Sequence, residues 1–211
     1  MQIQTIAALL LLGAATTGTA IADPYLTVGG YYSKVKKPVD VSGGGGQIGI
    51  GYTLSEQWSL ELGYDQLINK EPQWPSFAGN NSNTVVFKSG HKSAGLSLSI
   101  LGKTALDDFS TLFYRVGAIN NKSESWKFHF GNKSCATSES PTYTSIFKVN
   151  EQTIATTGGC TASNTNLGVI YGLGIDHQFN PKWFSRVEVV GLSDPDTESM
   201  YAIKLAVGYR F

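Results

Sequence analysis

Along most of this chain, large apolar residues alternate with small or polar ones at a period of two. The clearest case is the last segment. Tyr201, Ile203, Leu205, Val207, Tyr209 and Phe211 share one face, and Ala202, Lys204, Ala206, Gly208 and Arg210 share the other. Trp58, Leu60, Leu62 and Tyr64 alternate with Ser59, Glu61, Gly63 and Asp65. Leu96, Leu98 and Ile100 alternate with Gly95, Ser97 and Ser99, and Leu167, Val169, Tyr171, Leu173 and Ile175 form another such face. Trp183, Ser185, Val187 and Val189 oppose Phe184, Arg186 and Glu188. This periodicity predicts β-strands. Less regular strands at Tyr25–Tyr32, Gln47–Leu54 and Leu112–Ile119 bring the number to eight.

The predicted connections alternate strictly between short and long. Ser55–Gln57, Gly102–Asp108 and Asn180–Lys182 are short, whereas residues 33–46, 69–84, 120–165 and 193–199 form the other set. The face opposite the large apolar residues is rich in Gly and Ser, an unusual exterior for a soluble sandwich. A closed barrel in a membrane inverts the arrangement, with large apolar residues toward lipid and small or polar ones filling a narrow lumen. Closure also satisfies every strand's backbone groups, which hydrocarbon demands. The predicted class is therefore all-β: a closed antiparallel up-and-down transmembrane barrel of eight strands. Aromatic placement agrees with it. Tyr52, Trp58, Phe109, Phe113, Phe179, Trp183, Phe184, Tyr209 and Phe211 fall near the short turns, and Tyr31, Tyr32, Tyr64 and Tyr201 near the long loops. Two girdles are what a barrel shows.

The first residues have another character. Ile6–Leu12 is an unbroken apolar run too short to span a bilayer, followed by small residues and Ala20-Ile21-Ala22. This predicts a secretory signal peptide over residues 1–22, cut between Ala22 and Asp23, although Met1–Thr5 carries no basic residue. The barrel domain then occupies residues 23–211.

Composition narrows the function. The 211 residues hold 16 Lys+Arg against 16 Asp+Glu, and the absence of a basic excess argues against nucleic acid as a partner. The glycine run Gly43–Gly46 lacks the Lys-Ser/Thr of a phosphate loop, and three His and two Cys lie scattered. No cofactor, metal or catalytic residue is expected on these grounds.

Gly208-Tyr209-Arg210-Phe211, with Tyr201 at the start of the same strand, is similar to the C-terminal assembly signal of small eight-stranded outer-membrane barrels. Gly51–Tyr64 resembles the second-to-third strand hairpin of the OmpA-like transmembrane domain family, and Tyr114–Ala118 its fifth strand. Gly174-Ile175-Asp176 with Asn180–Trp183 resembles its sixth-to-seventh hairpin. The resemblance covers residues 23–211. It implies short turns in the periplasm and long loops outside a Gram-negative cell. The implied partners are outer-membrane lipid, lipopolysaccharide and the barrel-assembly machinery.

Candidate chemistry falls in three places. On the inward face, Glu61, Asp176 and Glu188 oppose Arg115, Arg186, Lys204 and Arg210. An ion in so narrow a space requires partners, so the residues are expected to form a salt-bridged plug, with a conduction gate as the alternative. His91 and Ser93 resemble the His/Ser pair of lipid A deacylases, but the phase set by Leu96, Leu98 and Ile100 turns them inward, away from lipid. Lys92 takes the lipid side, within reach of lipopolysaccharide phosphate. Cys135 and Cys160 share one loop in an oxidising compartment and are expected to pair, contributing about 3.5 kcal/mol by chain entropy.

That third outer loop is polar but interleaves Trp126, Phe128, Phe130, Tyr143 and Phe147, which makes these aromatics candidates for recognition. The alternative is a disulfide-clipped β extension that shields the barrel mouth. The expected function is a non-enzymatic surface barrel with an adhesive or structural role, contacting a host surface molecule such as matrix, another cell, phage or lipopolysaccharide. The alternatives are a narrow porin-like channel and a lipid A-modifying enzyme.

Overall fold

The computed structural model describes residues 23–35, 40–77, 85–130, 135–149, 152–193 and 200–211. The expected signal peptide lies outside them. Every element among the described residues is a strand: β1 (Pro24–Val35), β2 (Val41–Ser55), β3 (Trp58–Lys70), β4 (Gln73–Phe77), β5 (Val85–Lys88), β6 (Gly90–Ala105), β7 (Ser110–Phe130), β8 (Ser140–Val149), β9 (Gln152–Gln178), β10 (Trp183–Ser193) and β11 (Met200–Arg210). Antiparallel pairing runs β10-β11-β1-β2-β3-β6-β7-β9, and β9 pairs back onto β10. Eight strands thus close into a barrel. β8 adds to the outer part of β9, and β4 pairs with β5 as a separate hairpin.

The alternation decides which side chains meet lipid. Val28, Ile48, Ile50, Leu62, Leu98, Val116, Val187, Ile203, Leu205 and Val207 all point outward and are exposed. From Tyr201 to Phe211, ten residues of tilted strand rise about 25 Å, the height of a barrel's apolar band. The lower rim carries Tyr52, Trp58, Phe109, Tyr114, Phe179, Trp183 and Phe211, and the upper carries Tyr32, Tyr64, Tyr171 and Tyr201. Three residues assigned to these girdles from the sequence face the lumen instead: Tyr31, Phe113 and Phe184, at 5%, 1% and 2% exposure. Their neighbours Tyr32, Tyr114 and Trp183 take the outward phase.

Turn chemistry closes the periplasmic end. Asp107 Oδ1 accepts the Phe109 and Ser110 amides at 2.8 and 2.7 Å, and Asn180 Oδ1 accepts those of Lys182 and Trp183 at 2.9 and 3.0 Å. Short polar side chains bonded to the following backbone fix such turns.

The outer connections differ from expectation. Residues 33–46 are mostly strand, leaving only 36–40 between β1 and β2, and Gly43–Gly46 pair with Ser33, Tyr32, Tyr31 and Gly30. Glycine is required within this run. A bulge in β3 between Gln66 and Ile68 drives the Gln66 carbonyl against Gly45, where a Cβ would overlap it. The same bulge turns both Leu67 and Ile68 inward. Residues 120–165 are also largely strand, with β7 and β9 pairing without a register shift from Ser110↔His177 to Phe130↔Thr157.

Candidate functional site

The lumen is built in layers. At mid-height, three carboxylates and three cations interlock, all nearly fully buried. Arg115, from β7, places Nη2 2.6 Å from Glu61 on β3 and Nε 2.6 Å from Glu188 on β10. Arg186, also on β10, reaches Glu61 at 2.6 Å and Asp176 on β9 at 2.7 Å. Lys204, from β11, lies 3.2 Å from Glu188 and 3.9 Å from Glu61. Within this layer the opposite charges are equal in number, as burial of ions demands. Tyr25 donates its hydroxyl to Glu61 at 3.1 Å. Just above, Asp65 accepts the Tyr31 hydroxyl at 2.6 Å and that of Ser97. Arg210, the seventh residue predicted for this group, stands apart. It is half-buried near the lower rim, donates to Gln178 at 2.9 Å and stacks 5.0 Å from the Phe184 ring.

Beneath the ion layer, aromatic rings form a floor. The Arg186 guanidinium lies 4.5 Å from the Phe113 centroid, 5.6 Å from that of Phe184 and 5.9 Å from that of Tyr25. Each ring lies over a glycine of a neighbouring strand: Tyr25 over Gly51, Phe113 over Gly174, Phe184 over Gly208. A Cβ at any of them would strike the ring, which accounts for much of the glycine on the inward face.

Above the ion layer the lumen turns apolar. Val35, Val41, Leu67, Ile68, Ile119, Ile170, Val190, Leu192, Met200 and Ala202 pack with Tyr31 into one buried cluster. Sequence reasoning missed this cluster, as it missed Tyr25, Tyr31 and Asp65. Period two does assign Asp65 and Ile170 to the inward face. The bulge hides Leu67 and Ile68, because it breaks the phase.

His91 and Ser93 point inward and are buried. His91 Nδ1 lies 2.8 Å from Ser125 Oγ, and Ser93 donates to Asn121 at 2.8 Å, so neither meets the lipid side. Lys92 stands on the outer wall, bonded to Glu71 at 2.9 Å and poised 5.6 Å over the Trp126 ring.

Outside the membrane, β7 and β9 continue upward, and β8 joins β9 from Ser140↔Thr161 to Val149↔Gln152. From Leu167 on the barrel wall to Gln152 this sheet represents about 50 Å of strand. A disulfide between Cys135 and Cys160, with Cα atoms 5.7 Å apart, ties the approach to β8 onto β9. The His129 ring, close in sequence to Cys135 but far from Cys160, lies over Gly158 with Nε2 3.5 Å from Cys160 Sγ. Imidazole and two sulfurs thus converge, but the sulfurs are bonded to each other and offer no thiolate to a metal. Lys127 Nζ bonds Glu139 at 3.0 Å, and Glu139 also accepts the Ala136 amide. These two bonds hold its carboxyl below the usual range. Trp126 and Phe128 are half-buried. Phe130, Tyr143 and Phe147 belong to β7 and β8, and their side chains lie outside the described set.

At the lower rim, the Tyr209 ring lies 4.9 Å from that of Trp183 and 5.3 Å from that of Phe211. Tyr201, Tyr209 and Phe211 share the outward face of β11 and the residue after it.

A closed eight-stranded antiparallel barrel with an apolar exterior, two aromatic rims and a filled polar interior defines an outer-membrane protein. The chain belongs to the outer membrane protein beta-barrel domain family, whose model matches residues 5–211. Its place is the outer membrane of a Gram-negative cell. Among curated proteins no relative matches. Among solved structures, the chain is similar to Ail, the attachment invasion locus protein of Yersinia pestis, crystallised in complex with the heparin analogue sucrose octasulfate: 14% identity, TM-score 0.52, covering 90% of this chain and 99% of that one. It is also similar to Neisserial surface protein A, with 8% identity, TM-score 0.54 and coverage of 89% and 97%. A major outer membrane protein from Thermus thermophilus matches at 12% identity, TM-score 0.50 and coverage of 90% and 99%. At these identities the likeness concerns the fold.

Proposed function

We propose that this barrel is a non-enzymatic scaffold whose outer extension makes contacts at the cell surface. The observation that carries the reading is the contrast between a filled interior and a built exterior. Ion pairs, an aromatic floor and an apolar cluster occupy the lumen, whereas β7, β8 and β9 extend beyond the membrane as a disulfide-clipped sheet. In this reading the charge network is a structural plug rather than a conduction gate. Ion passage would require separating buried pairs and also wetting the apolar cluster. Trp126, Phe128, Phe130, Tyr143 and Phe147 are the recognition candidates. Lys122, Lys127, Lys133 and Lys148 against Glu124, Glu139 and Glu151 give only a slight positive excess, so shape and aromatic contact outweigh charge in choosing the partner. Residues 1–22 serve export, and the mature chain begins at Asp23.

The test is a strain in which Ser123–Ser163 is replaced by an Asn-Gly turn, with surface display matched to wild type. Lys122 and Thr165 are paired, so Asn-Gly together with the retained Asn164 forms a three-residue hairpin connection between the shortened strands. Loss of host-cell adhesion, phage adsorption or serum survival supports the reading. Equality in all three assays overturns it.

A further inference from the structure

β8 is the outermost strand of its sheet, and among the described residues it pairs with β9 alone. It lies on Gln152–Thr161 of β9, well beyond Val169, where β10 stops. Among the described residues nothing pairs with the backbone groups on its far edge, the kind of edge to which a further strand can add. The sequence Ser-Pro-Thr-Tyr-Thr-Ser-Ile-Phe-Lys-Val suits such pairing. It is rich in β-branched and aromatic residues, and its sole charge is Lys148 near the outer end. Features that block an edge fall near its two ends: Pro141 at the base, and shifts of register at Pro141/Tyr143 and Phe147/Lys148, which leave Tyr143–Phe147 regular.

Geometry selects the occupant. β9 descends toward the membrane and β8 runs antiparallel to it, so β8 points away from the cell. Two copies upright in one membrane would present parallel β8 strands, and an in-register alignment would set Lys148 beside Lys148. Two copies on facing membranes are inverted relative to each other, so their β8 strands meet antiparallel. That contact is isologous and closes as a pair, with the two copies of position 148 at opposite ends. We propose that the free edge of β8 pairs with β8 of a second copy on an apposed outer membrane, joining neighbouring cells. This rests on the reading that the extension makes surface contacts, and it supplies the partner. One such ladder is short and weak alone, but many copies on each cell act together, and avidity of this kind exceeds single-site affinity by roughly 10²–10⁴.

Thr144 and Ser145 flank the midpoint of β8, so a centred antiparallel pair sets Thr144 of one copy against Ser145 of the other. The experiment uses cells displaying wild type, T144K/S145K or T144E/S145E, with folding verified by heat-modifiable gel mobility. Wild-type cells should clump and settle, each charged variant alone should lose this behaviour, and an equal mixture of Lys and Glu cells should recover it. The proposal is overturned if wild-type cells do not clump, if either variant alone clumps like wild type, or if the mixture stays dispersed. The Ser123–Ser163 deletion, assayed in parallel for adhesion, phage adsorption and serum survival, separates the two ideas. A changed deletion strain beside an overturned clumping result removes only the self-pairing.

Discussion

Strands β7 and β9 pass through two environments, and each half is held together differently. Inside the membrane their inward side chains join a web of charge: Arg115 bridges Glu61 and Glu188, and Asp176 clasps Arg186. Outside, described ion pairs on the extension are few and partly exposed, such as Lys127 with Glu139. There the backbone ladder and a single disulfide carry the architecture. Among the described residues, buried ion pairs tie the barrel strands to one another, whereas main-chain pairing and one covalent clip tie its outward continuation.

The largest test of this difference is Glu61→Ala. It takes one of two carboxylate partners from each of Arg115 and Arg186, which have little water to turn to, and breaking a buried pair costs about 3–5 kcal/mol. The urea midpoint of the folded barrel in micelles should fall markedly, and an unchanged midpoint would show that the layer is not structural. Next comes Cys135→Ser. Up to about 3.5 kcal/mol of chain-entropy stabilisation is lost, but only for the extension. Limited proteolysis should cut faster within Ser123–Ser163 while the barrel midpoint stays put. A drop in both would show that the two regions are coupled. The smallest effect is Lys127→Ala, about 0.5 kcal/mol for so exposed a pair.

The pH dependence of that pair has a defined sign. Its bonds lower the Glu139 pKa in the folded state, so their stabilisation is present above the ordinary value of 4.5 and fades as pH falls below it. Proteolysis at the base of β8 should accelerate in that acid window in wild type and respond less in Lys127→Ala. Equal acid responses would contradict the pairing.

Legibility from sequence followed the same divide. All eight barrel strands were readable, because lipid on one side and a packed lumen on the other force strict alternation. Charge on the inward phase then exposed Glu61, Arg115, Asp176, Arg186, Glu188 and Lys204, although periodicity alone could not show that Arg210 sits too low to join them. The apolar cluster was hidden. Val190 and Leu192 resemble lipid-facing residues by type, and the bulge at Gln66–Ile68 shifts the phase. β8 was illegible for the opposite reason: its Ser- and Thr-rich sequence carries no two-sided hydrophobic signal. Gly43–Gly46 read as a loop because the need for glycine there arises from an approaching carbonyl on another strand.

The unbroken course of β7 and β9 also has a mechanical meaning. A pull at the tip of the extension is directed along the strands, so it loads their bonds to the barrel in shear rather than peeling them one at a time. Sixteen register pairs join β7 to β6, and ten join β9 to β10. Many of these must yield together before the tip separates from its anchor. The outer sheet is therefore anchored to the barrel by ladders that resist a lengthwise pull collectively.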